Sequence, residues 1–227
     1  MSQWWTYTLS DFLLFSPRTY YRLLELYNLA IWPLQLAGGA IGLGIVAMLA
    51  LKRDRRRRII ALLLAGCWLW IAWGFHYERY AQINWAAEWF AVAFALQAIF
   101  LIVVGVMRRA ASQASREGGN RLAATLVAIT VLGYPLIAPL AGRPWTAAEA
   151  FGVAADPTAI GTIAALSTVG GRARWLLLIL PLLWCAVAVA TLWAMDAPET
   201  VVVAGAALLA LVPAVCGMRR GDRDAKS

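Results

Sequence analysis

The sequence predicts an all-α fold, a polytopic transmembrane helical bundle, and three observations predict it. Hydrophobic residues make up 62% of the 227-residue chain and charged residues only 14%, with a mean hydropathy of +0.69, far from the make-up of a soluble domain. Uninterrupted apolar runs of about seventeen to twenty-three residues recur, and at about 1.5 Å per helical residue they match a hydrocarbon core of about 30 Å. Lys and Arg concentrate in short segments between those runs, as in cytoplasmic loops. Helices follow because each satisfies its own backbone polar groups where no water is present.

Residues 1–28 form the first element, an N-terminal interfacial region. In SPRTYYRLLELYN, Ser16 is placed to cap a helix and Pro17 suits its first position. Tyr20, Leu23, Leu24 and Tyr27 share one face opposite Arg18, Arg22 and Glu25, the pattern of an amphipathic helix lying in the membrane surface. The opening MSQWWTYTLSDF has neither a basic n-region nor a small-residue cleavage site, so no removable signal peptide is expected. Seven membrane segments follow in a domain over residues 29–218: Leu29 to Leu51, Ile59 to Phe75, Trp89 to Met107, Leu122 to Leu140, Pro157 to Gly171, Trp175 to Met195 and Val201 to Met218. The fifth is short or partly broken, since its fifteen residues rise only about 22 Å. Residues 219–227 form a cytoplasmic tail.

Charge decides whether the short fifth segment crosses. If it does, sixteen of the twenty Lys and Arg residues fall on one side, and only Arg18, Arg22, Arg79 and Arg143 on the other. If it enters and leaves by one face, the split becomes ten against ten. The first arrangement predicts seven crossings, with the N-terminus outside and the C-terminus in the cytoplasm. Trp4, Trp5, Trp32, Trp73, Trp85, Trp89, Trp145 and Trp193 then all fall at outer ends, where an aromatic belt is expected. The Gly-Gly-Asn-containing loop RRAASQASREGGNR separates three spans from four, with no internal repeat between the halves.

Several function classes are excluded or disfavoured. Lys52 and Lys226 lie on the cytoplasmic side, so no retinal Schiff base forms inside the bundle. A single histidine, His76, rules out paired-imidazole haem ligation. Cys67, Cys185 and Cys216 sit in apolar runs without a CxxC pair. No P-loop, GxSxG or HExxH pattern names a cofactor or a reaction, so the cofactor is unknown. A metal at His76 with Glu78, Glu88 or Asp156 would need its ligands to converge from separate loops. The run KRDRRRR reads as a topology determinant touching anionic lipid headgroups through Arg55, Arg56, Arg57 and Arg58, not as a nucleic-acid site.

Polar chemistry concentrates at two outer stretches. GFHYERYAQINWAAEWF carries His76, Glu78 and, as a helix cap, Asn84, with Glu88 near the start of the third span. FGVAADPTAIGT offers Asp156 as an N-cap and Pro157 as first helical residue, with Thr158 and Thr162 one turn apart behind them. A short helix whose N-terminal N–H groups lie below the membrane surface can meet an anion or polar substrate, as broken helices of transporters do. Caps and interfacial aromatics alone would also select most of these residues. Tyr134 and Glu149 complete the candidate ligand-binding set.

LSDFLLFSPRTYYRLLELYNLAIWP, INWAAEWF and FGVAADPTAIGT together resemble the recurring blocks of a family of bacterial multi-spanning membrane proteins known only as a domain of unknown function. The resemblance covers nearly the whole chain and implies a single bundle in the bacterial inner membrane; it implies no activity. The expected function is small-solute binding or transport through an outward-facing polar pocket, with a small polar or cationic solute as partner. One alternative is an accessory or scaffolding subunit that packs LAGGAIGLGIVAMLAL against a membrane-protein partner or a second copy. Another is a membrane enzyme with His76 as general base, which no triad spacing favours.

Overall fold

The structure is a computed structural model that describes residues 15–50, 56–107, 117–170 and 172–224. Among these residues it is all-helical. The first helix, α1 (Pro17–Ala30), begins as its sequence dictates: Ser16 Oγ accepts from Thr19 N at 3.2 Å, and Pro17 occupies the first turn. Its apolar face turns inward, with Tyr20, Leu24 and Tyr27 buried. The helix runs two residues past its expected end. A break at Ile31, Trp32 and Pro33 then bends the chain by 89° into α2 (Leu34–Ala50). The first apolar run therefore starts its straight helix five residues later than the sequence reading placed it, because Pro33 has no N–H to continue the ladder of α1.

The next helix, α3 (Arg56–Trp70), continues without a break through a π-helical turn, Ile71–Tyr77, which carries His76. Then come α4 (Ala87–Ile102), α5 (Glu117–Gly133), the four-residue α6 (Ile137–Leu140), α7 (Ala155–Leu166), α8 (Arg172–Ala194) and α9 (Thr200–Asp224). Four continuous helical stretches are long and apolar enough to cross a membrane: Arg56–Gln82, Ala87–Gly105, Asn120–Leu140 and Ala173–Ala194; the bent α1–α2 pair makes a fifth if it is one span. Residues 108–116 of the hinge loop, Trp4, Trp5, Leu51, Arg55 and the last three residues lie outside the described residues, while residues 117–121 of that loop are the first residues of α5 and not a turn. Trp32, Trp73, Trp85, Trp89, Trp145 and Trp193 are all exposed.

The short fifth segment is the centre of the molecule. Every residue of α7 is buried, and α7 packs against α3, α5, α8 and α9. Its composition suits that place: ADPTAIGTIAAL is made of small and apolar residues apart from Asp156, Thr158 and Thr162, whose polar groups are hydrogen-bonded inside the protein. It ends where Ser167 Oγ donates to Ala164 O and Thr168 Oγ1 to Ala165 O, satisfying carbonyls that the helix leaves open. Phe151, just before α7, is wedged against Gly38 and Gly42 of α2 and Gly161 of α7, places where an added methyl group would collide with it. Gly152 has φ +83°, a backbone conformation that glycine adopts without a Cβ penalty.

Candidate functional site

The connection before α7 folds back into the end of the bundle where α1, the π turn of α3 and the start of α9 also meet. Tyr27 Oη donates to Val153 O at 2.8 Å, and Asn28 Nδ2 donates to Thr146 O and Ala148 O, both at 2.8 Å, so α1 holds this connection in place. Acids and one cation gather there. Arg143 Nη2 pairs with Glu199 Oε1 at 2.8 Å, and Tyr21 Oη donates to the same carboxylate at 2.6 Å. The Arg143 guanidinium also lies 4.1 Å from the centroid of the Tyr21 ring. Tyr134, Arg143, Glu149 and Glu199 line a narrow cleft with room for the centre of about one water molecule, about 10 Å³. Arg143 Nε and Nη1 are buried there without a hydrogen-bond partner among the described residues.

Asp156 is held beside this cleft. Its Oδ1 accepts from Trp184 Nε1 at 2.8 Å and its Oδ2 from Tyr134 Oη at 3.2 Å. Glu149, in the loop before α7, keeps a little surface in the cleft but is surrounded by protein. Burial and, next, the nearby Asp156 carboxylate push its pKa well above the usual carboxylate range, while Arg143 pulls it back in part. Two carboxylates, Glu199 and Glu149, thus share the Arg143 guanidinium, and a third, Asp156, stands near Glu149. With all of them ionised the group would carry an excess negative charge in a poorly solvated place, so a proton or cation is favoured there.

Of the residues singled out by sequence, Tyr134, Glu149 and Asp156 come together, and the rest separate from them. Thr158 and Thr162 do sit one above the other, but both are fully engaged. Thr158 Oγ1 donates to Ala154 O at 2.7 Å and accepts from Gly152 N at 2.8 Å; Thr162 Oγ1 donates to Thr158 O at 2.7 Å and accepts from Trp68 Nε1 at 3.0 Å. The start of α7 is likewise not open to a substrate: Ala154 precedes the helix, and Asp156 lies inside the first turn, bringing its own negative charge to the positive end. Glu78 and Glu88 are exposed. Asn84 Oδ1 accepts from Ala86 N at 3.0 Å, forming a local turn ahead of α4 and not a cap on it.

His76 is fully buried in an aromatic cage, with ring centroids 4.4 Å from Phe94, 4.8 Å from Trp184 and 5.2 Å from Phe75. Neither ring nitrogen has a partner among the described residues, and no carboxylate orients the ring. Its link to the acids is indirect, through the Trp184 ring that stacks on it edge-on and donates to Asp156. Among the described residues no three of His, Cys, Asp and Glu stand close enough to hold a metal ion. The sequence reading did not include Arg143, Glu199, Tyr21 and Trp184. The available signal was that Arg143 is the only basic residue between Arg121 and Arg172.

The fold and site thus define an all-helical protein with several membrane-length apolar helices and a buried acid cluster at one end. The chain belongs to DUF6064, a family of unknown function, whose model matches residues 18–224. No curated protein and no solved structure matches it.

Proposed function

We propose that this protein crosses the bacterial inner membrane seven times, with the N-terminus outside, and binds or transports a small polar or cationic solute. In this reading the acid cleft is the element that exchanges a proton or small cation. The observation that carries it is the placement of Glu149 and Glu199 with Arg143 in one cleft, with Asp156 beside it on Tyr134 and close enough to Glu149 to act on its charge. The cleft accepts one water-sized species, and Arg143, with two unpartnered buried nitrogens, and Glu149 both line it. The seven-crossing orientation rests on the sixteen-to-four division of basic residues and on the exposed tryptophans. With it, eight of the twelve acids lie on the outer side, a mild attraction for cations.

Two observations disfavour the other readings. An enzyme based on His76 lacks any group that orients its imidazole. In the scaffold reading the Gly-rich α2 would face a partner, but Gly38 and Gly42 are used inside the chain against Phe151 and Val131, which leaves only Gly39 and Gly44 for that face. The test is a thermal-shift screen of purified protein against monovalent inorganic cations and ammonium at about pH 6 and about pH 8, followed by Glu149→Gln and Asp156→Asn. A compound that stabilises the parent and loses that effect in both variants supports the reading. If no compound stabilises the parent, or every hit acts equally on the variants, the cleft is not the binding element.

A further inference from the structure

A second cavity, of about 400 Å³, opens on the surface between α1 and the turn that follows α3. Three guanidiniums rim it, those of Arg18, Arg22 and Arg79, and Leu23, Leu26 and Ile83 supply its apolar wall. Arg18 and Arg22 lie one turn apart on α1 and so project side by side. Arg22 is paired with Glu25 at 2.6 Å, but Arg18 and Arg79 have no carboxylate partner among the described residues. Like charges held around one groove repel each other unless an anion lies between them. Guanidinium forks match the geometry of phosphate oxygens. The surroundings say which kind of phosphate: Leu26 is 52% exposed and Leu29 58% exposed along the same helix, continuing the apolar wall away from the arginines. Exposed Trp32 and Trp73 stand near the same end of α2 and α3, the position of aromatic side chains at a membrane interface.

We propose that this groove is a binding site for an anionic phospholipid, its phosphate among Arg18, Arg22 and Arg79 and its acyl chains along Leu26 and Leu29. The site is separate from Arg56, Arg57 and Arg58, which lie at the opposite end of α3, and it does not depend on the acid cleft. Three cations with a wall of leucine and isoleucine select a headgroup without a compensating ammonium. Native mass spectrometry of the full chain in neutral detergent tests this, with short-chain phosphatidylglycerol and phosphatidylcholine as paired probes and inorganic phosphate as competitor. The expected result is a phosphatidylglycerol preference of about tenfold, lost in Arg18→Gln/Arg79→Gln and kept in Arg121→Gln, at an exposed arginine on α5 that does not line the groove. Leu26→Asp, which leaves the arginines in place, should weaken the same lipid. Equal binding of the two lipids overturns the proposal, as does a preference that survives the double variant or is lost equally in Arg121→Gln. Inorganic phosphate that displaces the lipid at equal concentration would assign the groove to free phosphate and also overturn it.

Discussion

Gly38→Ala is the sharpest test of the packing that builds the acid cleft. A methyl group at Gly38 would come within 3.0 Å of the Phe151 carbonyl oxygen, 3.3 Å from the carbonyl carbon and 3.5 Å from Gly152 Cα. Carbon and oxygen normally meet at about 3.3–3.6 Å, so two backbones would have to part, and no side-chain rotation can relieve the contact. Overpacking of this kind costs about 1–3 kcal/mol, and an obstacle made of backbone argues for the upper end. Against it stands the gain of about 1 kcal/mol from replacing glycine with alanine in a helix. Gly39→Ala measures that gain alone, since nothing lies within 4 Å of its added methyl group. The difference between the two variants is then about 3 kcal/mol, or on the order of 6–12 °C in melting temperature for a chain of this length. A thiol-reactive dye can follow unfolding in detergent, because Cys67 and Cys185 are buried and free. Equal melting temperatures for the two variants would refute the close approach of α2 to the connection before α7.

Three further outcomes follow from individual contacts. Thr158→Val keeps the shape but leaves the buried N–H of Gly152 unpaired, and should cost about 1–3 kcal/mol by denaturant or thermal melt; a neutral result would mean that Thr158 is free after all. Trp184→Phe removes a donor from Asp156 while keeping an aromatic ring against His76, and should lower stability by about 1.5–3 kcal/mol, with Asp156→Asn in the Trp184→Phe background costing less than it does alone. The two losses adding in full would contradict the coupling. Because Glu149 holds its proton well above the ordinary value of 4.5, the folded state binds a proton that the unfolded chain has released. Its contribution is present at low pH and is lost as pH rises from about that ordinary value through the raised one, by at most about 1.4 kcal/mol per pH unit. Glu149→Gln should therefore flatten the fall in melting temperature between about pH 5 and about pH 8, and an unchanged slope would show that another group is responsible.

Much of the local structure was legible without coordinates. Ser16 and Pro17 start α1 as their chemistry requires, and its Tyr and Leu face turns inward. Every tryptophan assigned to an outer end that the structure describes is exposed. The second constellation was only half legible. Asp156, Tyr134 and Glu149 do meet, but the hydroxyls of Thr158 and Thr162 spend themselves on their own backbone, with Gly152 and Trp68 as outside donors. Sequence spacing says that two threonines share a face; it does not say what the opposite surface presents. His76 misled for a similar reason: its neighbours Glu78 and Arg79 are exposed, while the residues that surround its ring include Phe94 and Trp184, far along the chain.

By itself the sequence determined the helical class and the presence of several apolar helices long enough to cross a membrane, because hydropathy and capping act over a few neighbouring residues. Only the tertiary structure decided that the shortest segment is the enclosed centre, that α1 turns through 89° into α2, and that Arg143 serves Glu199 and Tyr21 at once. Tyr21 and Glu199 are 178 positions apart. No local pattern encodes such a pairing, since burial and charge compensation depend on which helices pack together, and that is settled by the shapes of whole faces and not by any one stretch of residues.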